Sequence, residues 1–110
     1  MSDNPDTAHG ALELVVFQLN EGTDRERFIE AAAIATDWIK TQPGFVSREL
    51  SHSVSEDRWV EVVWWKTMQD AKAAAEAAVT SESCSPMFSM VDLESALMLH
   101  GEPALAATYQ

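Results

Sequence analysis

Apolar and polar positions alternate with a period of two along residues 45–53 and again along 59–65, and this alternation predicts two strands. Gln42, Pro43 and Gly44 stand just before the first of them. Proline has no backbone donor and its ring clashes with a preceding helical turn, while glycine accepts the positive φ of a sharp exit, so a helix ahead of this point must end near Thr41. Ser55, Glu56, Asp57 and Arg58 are polar and lie between the two strand patterns, as the loop of a hairpin does. Read as a hairpin in which odd positions share a face, the pair gathers Glu49, Ser51, Trp59, Glu61 and Trp65 on one side. Val46, Leu50, Val60, Val62 and Trp64 take the other.

The flanking patterns complete the fold. Residues 12–19 form a nearly continuous apolar run broken by Glu13 and Gln18, of strand length. Thr23 followed by Glu26 has the spacing of a capping box and opens a helix, along which Phe28, Ala32, Ala35 and Ile39 make one apolar stripe with Trp38 at its edge. Thr67 and Asp70 repeat the signature before an alanine-rich helix over 71–79. Ser85 and Pro86 read as N-cap and first residue of a short helix carrying Met87 and Phe88, and residues 93–99 return to alternation until Gly101 and Pro103 end it. This order is the α+β, ferredoxin-like βαββαβ unit, with a four-stranded antiparallel sheet and its helices on one face. The domain is expected over residues 11–101, with a flexible N-terminal tail at 1–10 and a C-terminal tail at 102–110. The opposite sheet face is too apolar for water, which predicts a homodimer through Val60, Val62 and Trp64.

Charge narrows the partners. A net charge of -11 opposes binding to nucleic acid or to anionic membrane surfaces, which select Lys and Arg. No apolar run approaches the ~20 residues of a membrane span. No signal peptide is visible, and one cysteine, Cys84, permits no intramolecular disulfide, so a cytoplasmic protein is expected.

The candidate chemistry is carboxylate chemistry. Glu49 and Glu61 on one face of adjacent strands, near Trp59 and Trp65, would be desolvated and mutually repelling, and either effect raises a carboxyl pKa toward the range of a general base. Phe45 and Phe28 complete the expected apolar wall. Glu13, at an odd position of the first strand, can join the pair, although its register is not legible in the sequence. The same carboxylates can instead be solvated at the sheet edge or paired with Arg or Lys. His52 and His100, on strand ends, lack the local spacing of a metal site and read as surface or interface residues, so no metal ligand is assigned. Ser83, Cys84 and Ser85 lack a nucleophile motif, and the four glycines form no phosphate loop.

The Gln-Pro-Gly-Phe segment at 42–45, the Glu four residues after that Phe, the Trp closing the third strand and the alanine-rich capped helix resemble the dimeric α/β-barrel superfamily, in particular its antibiotic biosynthesis monooxygenase-like branch. The resemblance implies two sheets packed face to face as a barrel, with a pocket between sheet and helices in each subunit. Trp65 matches a pocket tryptophan of haem-degrading members, but residues 71–79 hold no histidine to ligate haem and residues 12–19 no asparagine, Asn20 falling in the turn. Polyketide-oxidising members use a pocket tyrosine, and here the one tyrosine is Tyr109. The resulting expectation is a cofactor-independent monooxygenase-like or isomerase-like enzyme that abstracts a proton with Glu61 or Glu49. The alternative is a non-catalytic ligand-binding or stress-related homodimer of the same fold.

Overall fold

A computed structural model describes residues 10–107. Residues 1–9 of the expected N-terminal tail and residues 108–110 of the expected C-terminal tail, Tyr109 included, lie outside the described residues. The elements follow in the order β1 (Ala11–Leu19), α1 (Arg25–Ile39), β2 (Phe45–Ser53), β3 (Arg58–Trp65), α2 (Met68–Ala78), α3 (Ser85–Ser89) and β4 (Val91–Gly101). The strands form one antiparallel sheet in the order β2-β3-β1-β4, so the α+β ferredoxin-like topology expected from the pattern is present.

Helices α1 and α2 start where short polar side chains satisfy free backbone donors. Thr67 caps α2 by accepting from the Asp70 amide at 2.9 Å, as its spacing predicts. At α1 the cap is Asp24 rather than Thr23, its carboxylate accepting from the Arg27 amide at 3.1 Å. A carboxylate one residue later places the same bond and adds a charge that suits the helix dipole. Ser85 lies inside α3 and makes no cap. Phe28, Ala32, Ala35 and Ile39 of α1, with Ala71 and Ala74 of α2, are buried against Ala11, Phe17, Trp59, Val63 and Trp65 of the sheet. Phe28 stands edge-on to both Phe17 and Trp59, with ring centroids 5.8 and 4.9 Å away.

The hairpin departs from the expected parity. The loop is residues 54–57 and closes on Ser53 opposite Arg58, with Asp57 at φ 52°. An even-membered loop pairs residues of opposite parity, so Arg48 faces Val63, Leu50 faces Glu61 and His52 faces Trp59. Glu49 is therefore opposite Val62, on the outer face and exposed, and it does not share a face with Glu61. Leu50, expected on the outer face, is half-buried on the helix side. An irregularity between Phe45 and Ser47 restores the parity at the strand's start, leaving Phe45 opposite Trp65 with their rings edge to face at 5.8 Å.

A second irregularity interrupts β1 against β4, between Val16 and Gln18. There Ser95 Oγ accepts from the Gln18 amide at 2.8 Å and donates to the Asp92 carbonyl at 2.6 Å, holding the extra residues of β4 in place. On the outer face, away from the helices, Val60, Val62 and Trp64 are joined by Leu97 and Leu99, which are 56% and 52% exposed.

Gly44 is required by the turn that starts the hairpin. Its φ is +82°, and a Cβ there would stand 2.7 Å from the Cβ of Asp70 in α2. Left-handed backbone costs a residue with a side chain roughly 1–2 kcal/mol before any clash is counted. Gly44→Ala is expected to lower the unfolding free energy by about 2 kcal/mol, measured by urea denaturation. A loss under about 0.5 kcal/mol would show that the turn is not under this constraint.

Candidate active site

On the helix side of the sheet a cavity of about 210 Å³ lies between β1, β3 and β4, α1, α2 and α3. Its walls are mainly apolar, including Phe17, Trp38, Val63, Trp65 and Met87, with the alanines of α2 opposite. Leu93, Met98 and Phe88 also line it and are exposed, so its rim lies along β4 and α3. The small residues of α2 leave the space that larger side chains would fill. The interruption of β4 carries Leu93 and Ala96 to the rim.

Two carboxylates and one guanidinium enter this cavity. Arg48, whose side chain is 4% exposed, donates from Nε to Glu61 Oε2 at 2.6 Å, from a terminal nitrogen to the Ala32 carbonyl at 2.8 Å and to the Thr36 hydroxyl, and from the other to Met87 Sδ at 3.2 Å. A buried guanidinium is tolerated only when its donors are satisfied, and here β3, α1 and α3 satisfy them. Glu61 is thus held as the partner of a fixed cation.

Glu13 is in a different state. Its backbone lies opposite Val63 on β3 and His100 on β4, which puts its side chain on the same face as Glu61 and Trp65. Its Oε1 accepts from Trp65 Nε1 at 3.3 Å, and its Oε2 is 3.9 Å from His100 Nε2. Burial, together with the negative charge of Glu61, pushes its pKa from 4.5 up to about 7, against the Trp65 hydrogen bond and the Arg48 charge. A carboxyl with its pKa raised to about 7 beside an apolar cavity can take up or release a proton near neutral pH. Cys84 also reaches the wall, but burial raises its thiol pKa, which keeps it an unreactive thiol.

The site therefore differs from the one expected in the hairpin alone. Glu61 and Trp65 line the cavity, and Glu49 does not. Trp59 borders a separate cleft of about 280 Å³, where His52 stacks on its ring at 4.3 Å and Arg25 lies over it at 5.5 Å from the ring centroid. Phe28 is fully buried core, and Phe45 packs behind Trp65 without lining the cavity. The carboxyl that pairs with Glu61 is Glu13 rather than Glu49. Its one signal in the sequence is being the sole charge within a buried strand pattern, a rare and costly placement.

No protein-family model and no curated protein matches the chain. Solved structures do. A point variant of SnoaB, a cofactor-independent oxygenase from Streptomyces nogalater, superposes with a TM-score of 0.72 at 13% identity, over 90% of this chain and 97% of that one. The chain has the antibiotic biosynthesis monooxygenase-like fold. ActVA-Orf6, a monooxygenase of Streptomyces coelicolor solved in complex with nanaomycin D, gives a TM-score of 0.69 at 18% identity, over 97% and 96% of the two chains. Among the described residues of this monooxygenase-like fold, no helix is long and apolar enough to cross a membrane.

The raised pKa of Glu13 has a defined effect on stability. The folded protein holds this proton up to about 7 and the unfolded chain releases it near 4.5, so folding is favoured fully below 4.5 and the advantage is lost as pH rises to 7. The displacement corresponds to on the order of 3 kcal/mol. Glu13→Gln, which cannot ionise, is expected to gain stability over the parent protein progressively between pH 4.5 and 7 and to hold that gain above it. Thermal melts of both proteins across pH 4 to 8 test this, and parallel curves would remove the buried carboxyl from consideration.

Proposed function

We propose that this protein is a monooxygenase-like enzyme that works without a tightly bound cofactor on a compact apolar substrate with an acidic C–H. The observation that carries this reading is Glu13, a buried carboxyl that accepts from Trp65 and faces an apolar cavity. Glu13 takes a proton from carbon beside a carbonyl or an aromatic ring and leaves the electron pair on the substrate. Such a carbanion is itself a reductant of dioxygen. In the net reaction a CH₂ group becomes a carbonyl, with one oxygen atom retained in the product and the other released as water. Trp38 and Trp65 offer flat apolar surfaces to a planar substrate. The Arg48 guanidinium, 2.6 Å from Glu61, supplies positive charge close to where negative charge develops. SnoaB, a cofactor-independent oxygenase of the same fold, supports the reaction class.

An anthrone is a suitable probe, being flat, apolar and acidic at carbon. The protein is expected to accelerate oxygen uptake by the anthrone, and Glu13→Gln to lower kcat by 10²-fold or more, the usual scale for a general base. Glu61→Gln is expected to act more mildly, through Arg48 and the Glu13 pKa. If Glu13→Gln retains full activity, Glu13 is not the base. If Glu61→Gln alone abolishes turnover in a folded protein, the role passes to Glu61.

The outer sheet face is proposed to close on a second copy of the chain. Leu97 and Leu99 at 56% and 52% exposure, beside Val60, Val62 and Trp64, form an apolar surface continuous across three strands. Val62→Lys is expected to convert a homodimer into monomers or insoluble protein. Light scattering at micromolar concentration tests the assembly, and a monomeric parent protein ends the proposal.

A further inference from the structure

The Nε2 of His100, which faces Glu13, is buried and has no hydrogen-bond partner among the described residues, and a buried polar atom in that state is costly unless something compensates. His100 lies directly across the β1–β4 pairing from Glu13, so both side chains leave the sheet on the helix side. The unpartnered Nε2 stands 3.9 Å from Glu13 Oε2, too far for a hydrogen bond and about 1 Å from one. The other carboxylate oxygen is already engaged by Trp65 Nε1. Glu13 Oε2 and His100 Nε2 therefore face each other, and the His100 side chain is 18% exposed, so the pair joins the buried carboxyl to the protein surface.

We propose that His100 is a positioning and relay residue for Glu13, accepting from it the proton that Glu13 takes from the substrate and delivering that proton to solvent. The proposal rests on the reading of Glu13 as the general base. In the step, the substrate C–H bond breaks, its electron pair stays on carbon, and an O–H bond forms on Glu13. The Glu13 O–H then breaks as an N–H bond forms at His100 Nε2, the resulting imidazolium loses a proton to water from its other nitrogen, and tautomer exchange through water restores the bare Nε2 before the next turnover. Glu13 is returned as a carboxylate for the next substrate, and no oxidant or reductant takes part in the transfer.

The surrounding charges favour a relay over a permanent ion pair. Burial and the positive charge of Lys72, on α2, lower the pKa of His100, so the ring is neutral and able to accept at neutral pH. Glu13 is held toward its acid form by burial and by Glu61 on β3, and toward its carboxylate by Trp65 and Arg48. Neither group is driven to a fixed charge at pH 7, which is the condition for passing a proton between them.

Two variants separate relay from packing. His100→Ala opens a space and removes the acceptor, whereas His100→Phe fills the space and removes the acceptor. Both are expected to lower kcat for anthrone oxygenation about tenfold or more with little change in KM. Added imidazole is expected to restore His100→Ala in proportion to its free-base fraction and to leave His100→Phe unchanged. Carboxyl-carbon NMR of the Glu13 side chain supplies a readout without turnover. In the parent protein its titration should show a second, lower step as His100 takes a proton, and in His100→Phe that step should be gone with the midpoint of Glu13 lowered. Unchanged kcat in both variants, a loss that imidazole does not restore, or the same Glu13 titration in His100→Phe overturns the relay. Absence of oxygen uptake by the parent protein would count against the reaction class instead, and the NMR titration would still decide whether the two groups are coupled.

Discussion

The buried guanidinium of Arg48 is the constraint around which the site is arranged. It leaves β2, bonds Glu61 on the adjacent strand, and reaches the Ala32 carbonyl, the Thr36 hydroxyl and Met87 across the cavity floor. A charge in that position forces its surroundings to be polar at specific points, because each unsatisfied donor would cost more than the cation contributes. Removing either partner of such a pair costs about 3–5 kcal/mol, since the other charge stays buried alone. The same bonds tie α1 and α3 to the sheet, so the walls of the cavity and its charge balance are set by one side chain.

One cation cannot neutralise two carboxylates equally. Glu61 has the contact with Arg48 at 2.6 Å, while Glu13 has a neutral donor, Trp65, and an imidazole beyond hydrogen-bond reach. The two acids therefore sit in different environments, and it is Glu13, without a cation in contact, whose pKa is raised. Burial and repulsion from Glu61 act in the same direction on Glu13. An exchange of these roles would require Arg48 to turn away from the Ala32 carbonyl and the Thr36 hydroxyl.

The elements and their order were legible because period two, period 3.6 and the Pro43–Gly44 turn all act locally. The buried stripe Phe28, Ala32, Ala35 and Ile39 follows from helical spacing alone. Less of the site was legible. Whether Glu49 or Arg48 faces the helices depends on one residue more or less in the hairpin loop, and residues 54–57 carry no residue pair that fixes that count. The bulge near Val46 then returns Phe45 to the expected side, so two local irregularities with opposite effects lie inside one hairpin. The pairing of Glu13 with His100 joins residues on strands far apart in sequence. No local periodicity carries that information, and only the sheet order brings them together.

On β1 one residue breaks the pattern of its own strand. Its even positions, Leu12, Leu14 and Val16, face away from the helices and are apolar, and its odd positions face the helices as Ala11, Val15 and Phe17, with Glu13 the exception. An apolar residue at position 13 would remove the desolvation that raises this carboxyl and would satisfy every local rule of the strand. The fold gains nothing from an acid there, because Arg48 is already matched by Glu61 and Trp65 needs only some acceptor, which a neutral amide supplies. A side chain that lowers stability, in a cavity that the alanines of α2 keep open, is not explained by what holds the chain together.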